Sequence, residues 1–272
     1  MKTRYGHKTY PFTVAQKFHI YYMDFCPKKE VLNIGTSLTI EYELDKAALK
    51  EAIYKAYERC ESMRVRFAYD KKEKQWYQYL VEKEERDIEY VDFTGKTMEE
   101  AAEIMTAWTR VPFEREDSPM NRVVMIKTPD GCEGLYVLGD HMLMDAQSLI
   151  CFLRDVIELY CNAMFEGIAY PLDMRSYVEQ IEKDLAYEAG SKAQARDREY
   201  FQKLIGESEP IFNGILGPGQ LEEARKKFRE PGRLFLRKGR WIRRWISFIW
   251  RRSQPRGSCA SARNSMSPCS AF

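Results

Sequence analysis

From Thr36 to Leu44 the chain alternates, with Leu38, Ile40, Tyr42 and Leu44 on one face, the period of a half-buried strand. The period then changes. Leu49, Ile53, Ala56, Tyr57 and Cys60 recur at helical spacing behind Asp45, a residue suited to the N-cap. Strand-like runs return at 63–68 and 75–81, a helical pattern at 98–108 (Ala101, Ala102, Met105, Trp108), and strands at 122–127 and 134–138. A short polar step, Gly139-Asp140-His141, leads through Met142 and Met144 to Asp145. There a long amphipathic helix starts, with an expected buried face of Leu149, Phe152, Leu153, Val156, Ile157 and Tyr160. Further helices are expected at 174–185 and 192–205, the latter charged on one side. After Pro210 the spacing of Gly214, Gly217, Pro218 and Gly219 predicts a loop.

Composition adds to this picture. At 44% hydrophobic and 13% aromatic, 272 residues can bury one good core and at most two small ones, so a folded chain rather than a disordered one is expected. The longest apolar runs fall short of the roughly 20 residues of a membrane helix, and the N-terminus lacks a secretory apolar region, so the expected location is cytoplasmic. The seven cysteines are odd in number and never spaced as C-x-x-C, which argues against a disulfide framework and a zinc ribbon.

The net charge of +2 conceals a break. All 41 acidic residues but only 34 of the 43 Lys+Arg lie in residues 1–233, which therefore carry −7. Residues 234–272 hold nine basic residues, no acidic ones and three of the five tryptophans, so this basic Trp/Arg/Ser-rich tail is expected to be disordered or translated in a shifted frame. Two alternatives are an anionic membrane surface met by the Trp241–Trp250 stretch and nucleic acid gripped by the same arginines and tryptophans. Neither membrane contact nor nucleic-acid binding is the expected role.

Only three histidines are available for histidine chemistry. His7 lies in a polar arm and His19 in an apolar stretch beside Phe18 and Ile20, settings that favour surface or structural roles. His141 stands between a predicted buried strand and a helix start, the kind of loop from which a rigid scaffold presents a reactive group. Other chemistries fail on spacing. Gly95-Lys96-Thr97 lacks the upstream glycine of a phosphate loop, where Tyr90 stands; no G-x-S-x-G elbow occurs; and His141 with Asp145 has no third ligand for a metal, so none is expected.

The stretch Gly139 to Ser148 resembles the HHxxxDG motif of condensation domains of nonribosomal peptide synthetases, within the chloramphenicol-acetyltransferase-like acyltransferases. Four more segments resemble that family's motifs in the right order: Tyr10 to Gln16, Glu58 to Phe67 ("RHExLRTxF"), Pro112-Phe113-Glu114 with Ser118 to Arg122, and Glu199-Tyr200-Phe201 with Leu204. Together they cover about residues 8–205.

The resemblance implies an α/β fold, a two-layer sandwich lobe of the chloramphenicol-acetyltransferase-like type with a mixed sheet backed by helices. Residues 1–210 would form the N-terminal lobe, 211–233 a loop or the start of a crossover to a missing second lobe, and 234–272 the tail. It further implies acyl transfer from a coenzyme A or 4'-phosphopantetheine thioester to an amine or alcohol, with an acyl carrier protein or acyl-CoA as partner, a second lobe or homodimer completing the channel, and no permanently bound cofactor. His141 would be the catalytic base or positioner, and Asp145, paired with Arg64, together with Asp140, its structural support. Two positions depart from the pattern: Asp140 replaces the motif's first histidine and Ala146 its glycine. A carboxylate beside His141 is expected to favour the imidazolium, and a truncated lobe is expected to be impaired. The alternative is a non-catalytic remnant or binding module.

Overall fold

The computed structural model describes residues 3–26, 28–84 and 86–206. The loop expected at 211–233 and the tail expected at 234–272 lie outside the described residues. In chain order the elements are β1 (Thr3–Arg4), β2 (His7–Pro11), α1 (Val14–Phe25), β3 (Asn33–Ile40), α2 (Lys46–Arg59), β4 (Val65–Asp70), β5 (Gln75–Leu80), β6 (Glu89–Asp92), α3 (Met98–Thr109), β7 (Asn121–Lys127), β8 (Glu133–Asp140), α4 (Ala146–Met164), α5 (Tyr177–Glu188) and α6 (Lys192–Ile205).

Strand β8 is buried at every position because helices cover both faces of its sheet. The sheet runs β3-β8-β7-β6, with β8 antiparallel to both neighbours and β6 parallel to β7, so the expected mixed sheet backed by helices is what forms. Alternate side chains divide between the two faces. Val123, Met125, Leu135 and Val137 pack with Ile53 and Phe152 from α2 and α4, while Val124, Ile126, Tyr136 and Leu138 pack with Ala101 of α3. Gly134 permits the close approach of β3, since a Cβ there would lie 2.0 Å from the Leu38 carbonyl oxygen.

A second, antiparallel sheet runs β1-β2-β5-β4. Phe12, Val65 and Phe67 from this sheet region meet Met23 of α1 and Met142 and Leu143 from the loop after β8 in a separate core. Thus the segment following β8 is pinned by one core as β8 itself is pinned by the other.

Several expected boundaries move. β3 ends at Ile40 rather than continuing to 44, because the Leu44 N–H donates to Glu133 Oε2 at 2.8 Å and Asp45 turns to cap α2 through Ala48 N, also at 2.8 Å. A 3-10 turn at Glu61–Arg64 takes up the start of the strand expected at 63. On α4, Ile157 is only half-buried while Asp155 is buried, since Asp155 pairs with Arg59 of α2. Helix α1 is not legible from apolar periodicity, as Phe18, Tyr21 and Tyr22 are exposed. Its signal is a capping box: Gln16 N–H donates to Thr13 Oγ1 and the Thr13 N–H to Gln16 Oε1. Among the described residues no helix is long and apolar enough to cross a membrane.

Candidate active site

His141 is delivered by main-chain bonds rather than by its own side chain. Asn33 of β3 is registered against Asp140, the Asp140 N–H donates to the Met120 carbonyl at 2.9 Å, and the His141 N–H donates to the Leu32 carbonyl at 2.9 Å. The chain then turns: Asp140 Oδ1 accepts from the Met142 N–H at 2.8 Å, and the Asp140 carbonyl accepts from the Leu143 N–H at 3.1 Å. Met142, Leu143 and Met144 are buried, whereas the His141 side chain is exposed. Gly139 makes room for the turn, because a Cβ there would lie 2.2 Å from Met144 Sδ.

Asp145 ends the turn as the N-cap of α4, accepting from Ser148 N and Ser148 Oγ, both at 2.8 Å. Those two hydrogen bonds hold its carboxyl below the usual range against a smaller opposing effect of burial, and His141 adds to the lowering. Ala146 is the first helical residue and is exposed, so its methyl sits at a position with room for it.

Asp140 faces inward and is only 2% exposed. Burial pushes its carboxyl above the usual range, opposed by the Met142 amide, by Arg115 at 3.8 Å and by the neighbouring His19 and His141. The carboxylate expected to act on His141 is therefore engaged with the turn amide and Arg115.

The Asp145–Arg64 pair expected from the resemblance is not formed. Arg64 donates to the carbonyls of Tyr57 (2.9 Å), Glu58 (3.0 Å), Val81 (2.6 Å) and Glu82 (2.8 Å). The physical reason is local: the 3-10 turn folds Arg64 back on the C-terminal end of α2, where carbonyls lack helical partners and a cation is favoured. Arg64 thus holds the scaffold together and does not touch the site. Its sequence neighbours do the same work, which sequence reasoning missed. Arg59 pairs with Asp155 of α4 at 3.0 Å and donates to the carbonyls of Pro171 and Leu172; Glu61 accepts from Ser176 Oγ (2.8 Å) and Val178 N (3.0 Å) at the start of α5.

The structure brings one unexpected residue to His141. His19, on α1, stacks on the His141 ring with centroids 5.4 Å apart and planes 27° from parallel. Missing α1 means missing the helix that carries His19, which the Thr13/Gln16 capping box could have revealed. His7 lies elsewhere, stacked on Tyr79 at 5.8 Å. Among the described residues no three His, Cys, Asp or Glu side chains converge as metal ligands.

Comparison with known proteins places this geometry. The profile of the Condensation domain family matches residues 7–232. Tyrocidine synthase 2 of Brevibacillus parabrevis is 26% identical over 204 residues, covering 75% of this chain and 5% of that protein. A linear gramicidin synthase polypeptide of the same organism is 25% identical over 154 residues, covering 55% of this chain and 2% of that protein. Among solved structures, the starter condensation domain of the rhizomide synthetase superposes with a TM-score of 0.65 at 21% identity, covering 75% of this chain and 49% of its own. The first condensation domain of the calcium-dependent antibiotic synthetase gives 0.63 at 22%, covering 75% and 49%. The chain thus spans a small part of the curated relatives and about half of the solved domains. With the family profile running across most of its length, this chain belongs to the condensation-domain family.

Proposed function

We propose that the chain carries the His141 side of an acyl-transfer site, in which an amine or alcohol attacks the carbonyl of a coenzyme A or pantetheinyl thioester. The observation that carries this reading is the contrast at the end of β8: the main chain of residues 139–144 is fixed by hydrogen bonds and core side chains, while the His141 imidazole alone faces outward. Imidazole is the side chain suited to accepting a proton near neutral pH. As the acceptor's nitrogen or oxygen bonds to the thioester carbon, His141 takes its proton; the C–S bond then breaks and the thiol leaves with a proton returned to it. Asp145 and Asp140 support this indirectly, the first by capping α4 and the second by closing the turn beneath His141.

The relatives are synthases and synthetase domains, and a variant of the rhizomide synthetase starter domain has been solved with C8-CoA and Leu-SNAC. By that likeness the donor here is an acyl-CoA or an acyl group on a carrier protein. Exposed apolar side chains on α1 (Val14, Phe18, Tyr21) and α6 (Phe201, Leu204) support a second lobe, or a second copy of the chain, as a further partner. The test is to mix the folded chain with C8-CoA and Leu-SNAC and follow free coenzyme A and acylated product by mass spectrometry. Product above the protein-free blank is expected; none, from a chain shown to be folded, overturns the reading.

A further inference from the structure

The His141 ring has few ways to be held. Asp140, its sequence neighbour, is turned inward to the Met142 amide and Arg115, and Asp145 is committed to Ser148. The described hydrogen bond of residue 141 is made by its main-chain N–H to the Leu32 carbonyl. An exposed imidazole free to turn about χ1 and χ2 would spend only part of its time aimed at an acceptor, and misplacement of a base is costly in rate. Where a base is oriented by a third group, that group is commonly a hydrogen-bonding carboxylate; here an aromatic ring stands in the position to do it.

His19 is itself well held. Its Nδ1 lies 2.8 Å from the Ala15 carbonyl, and since a carbonyl oxygen can only accept, the ring proton sits on Nδ1. Phe18 meets the His19 ring edge-on, with centroids 6.2 Å apart. The helix beneath is anchored as well: Gln16 and Gln78 exchange two amide hydrogen bonds at 2.9 and 2.7 Å, both side chains being buried, and Met23 enters the core beside Met142 and Leu143. The two imidazoles therefore come from two elements fixed to the same core, and their stacking is set by the fold rather than by either side chain alone.

We infer that His19 is a positioning residue for His141, holding the imidazole in one orientation by ring stacking across the α1 and β8–α4 junction. This rests on the reading of His141 as the reacting base, but the contact can be tested without turnover. The chain has three histidines, so ring Cε1–Hε1 signals in histidine-labelled full-length protein are few and can be assigned by substituting each in turn. Replacing His19→Ala is expected to move the His141 signal by removing the neighbouring ring current. Replacing His19→Phe, which keeps an aromatic ring without its nitrogens, is expected to leave a stacked His141 signal. In the C8-CoA assay, His19→Ala should lower kcat by about 10- to 100-fold with KM little changed, and His19→Phe should restore most of it. An unchanged His141 signal in His19→Ala, with the rest of the spectrum intact, overturns the inference, as does His19→Phe behaving like His19→Ala. If the wild-type chain transfers no acyl group, the proposed reaction fails, while the NMR comparison still decides the contact.

Discussion

At the residue scale, two aspartates in one turn do opposite electrostatic work. Asp145 is an N-cap with a lowered pKa, so its contribution to stability is present above the ordinary carboxylate pKa and is lost as pH falls through the lower folded value. Asp145→Ala is expected to destabilise the chain by about 1 kcal/mol at neutral pH, read as a lower urea midpoint, and Asp145→Asn by less. Asp140 is raised by burial, so the sign reverses: its contribution is present below about pH 4 and is lost as pH rises through the higher folded value. Asparagine keeps an oxygen for the Met142 amide without a charge to bury. Asp140→Asn should therefore match wild type in acid and gain stability relative to it toward neutral pH; urea titrations at the two pH values check this, and a variant that loses ground as pH rises contradicts it.

At the scale of elements, the tie between α2 and α4 is ionic as well as apolar. Arg59 and Asp155 are both largely buried and paired at 3.0 Å. Removing one partner leaves the other charge in the interior, so Asp155→Ala is expected to cost about 3 kcal/mol, the low end of such losses because Arg59 keeps the Pro171 and Leu172 carbonyls. Thermal or urea unfolding measures it, and a loss under about 1 kcal/mol would show the pair to be dispensable. Asp155 is illegible in the sequence for a physical reason: an apolar-periodicity reading counts Ile157 as buried and a carboxylate as exposed, and only the partner on another helix reverses that. What is legible has strong local causes. The caps at Asp45 and Asp145, the long apolar stripe of α4 and the bounds of α6 at Lys192 and Ile205 follow from neighbouring residues. Helix α1 and the short β1, β2 and β6 depend on tertiary partners and do not show in the pattern.

At the scale of the whole molecule, two of the segments that resemble condensation-domain motifs divide by task. The stretch around Arg59, Glu61 and Arg64 binds α2, α4, α5 and the β5 end to one another, while the Gly139 to Asp145 stretch presents His141. Sequence order alone is enough to place His141 and Asp145, because strand, turn and cap are consecutive in the chain. It misassigns Arg64 because its partners are backbone carbonyls, which leave no mark in a side-chain motif. It misses the neighbour of His141 because His19 reaches it from far along the chain. The proposed chemistry depends on His141 being the group that accepts the proton during acyl transfer. The most direct measurement is thiol release from C8-CoA in the presence of Leu-SNAC by the wild-type chain and by His141→Ala at equal concentration. A rate at least about 100-fold lower in the variant is expected of a lost general base, and equal, enzyme-dependent rates in the two would contradict that role.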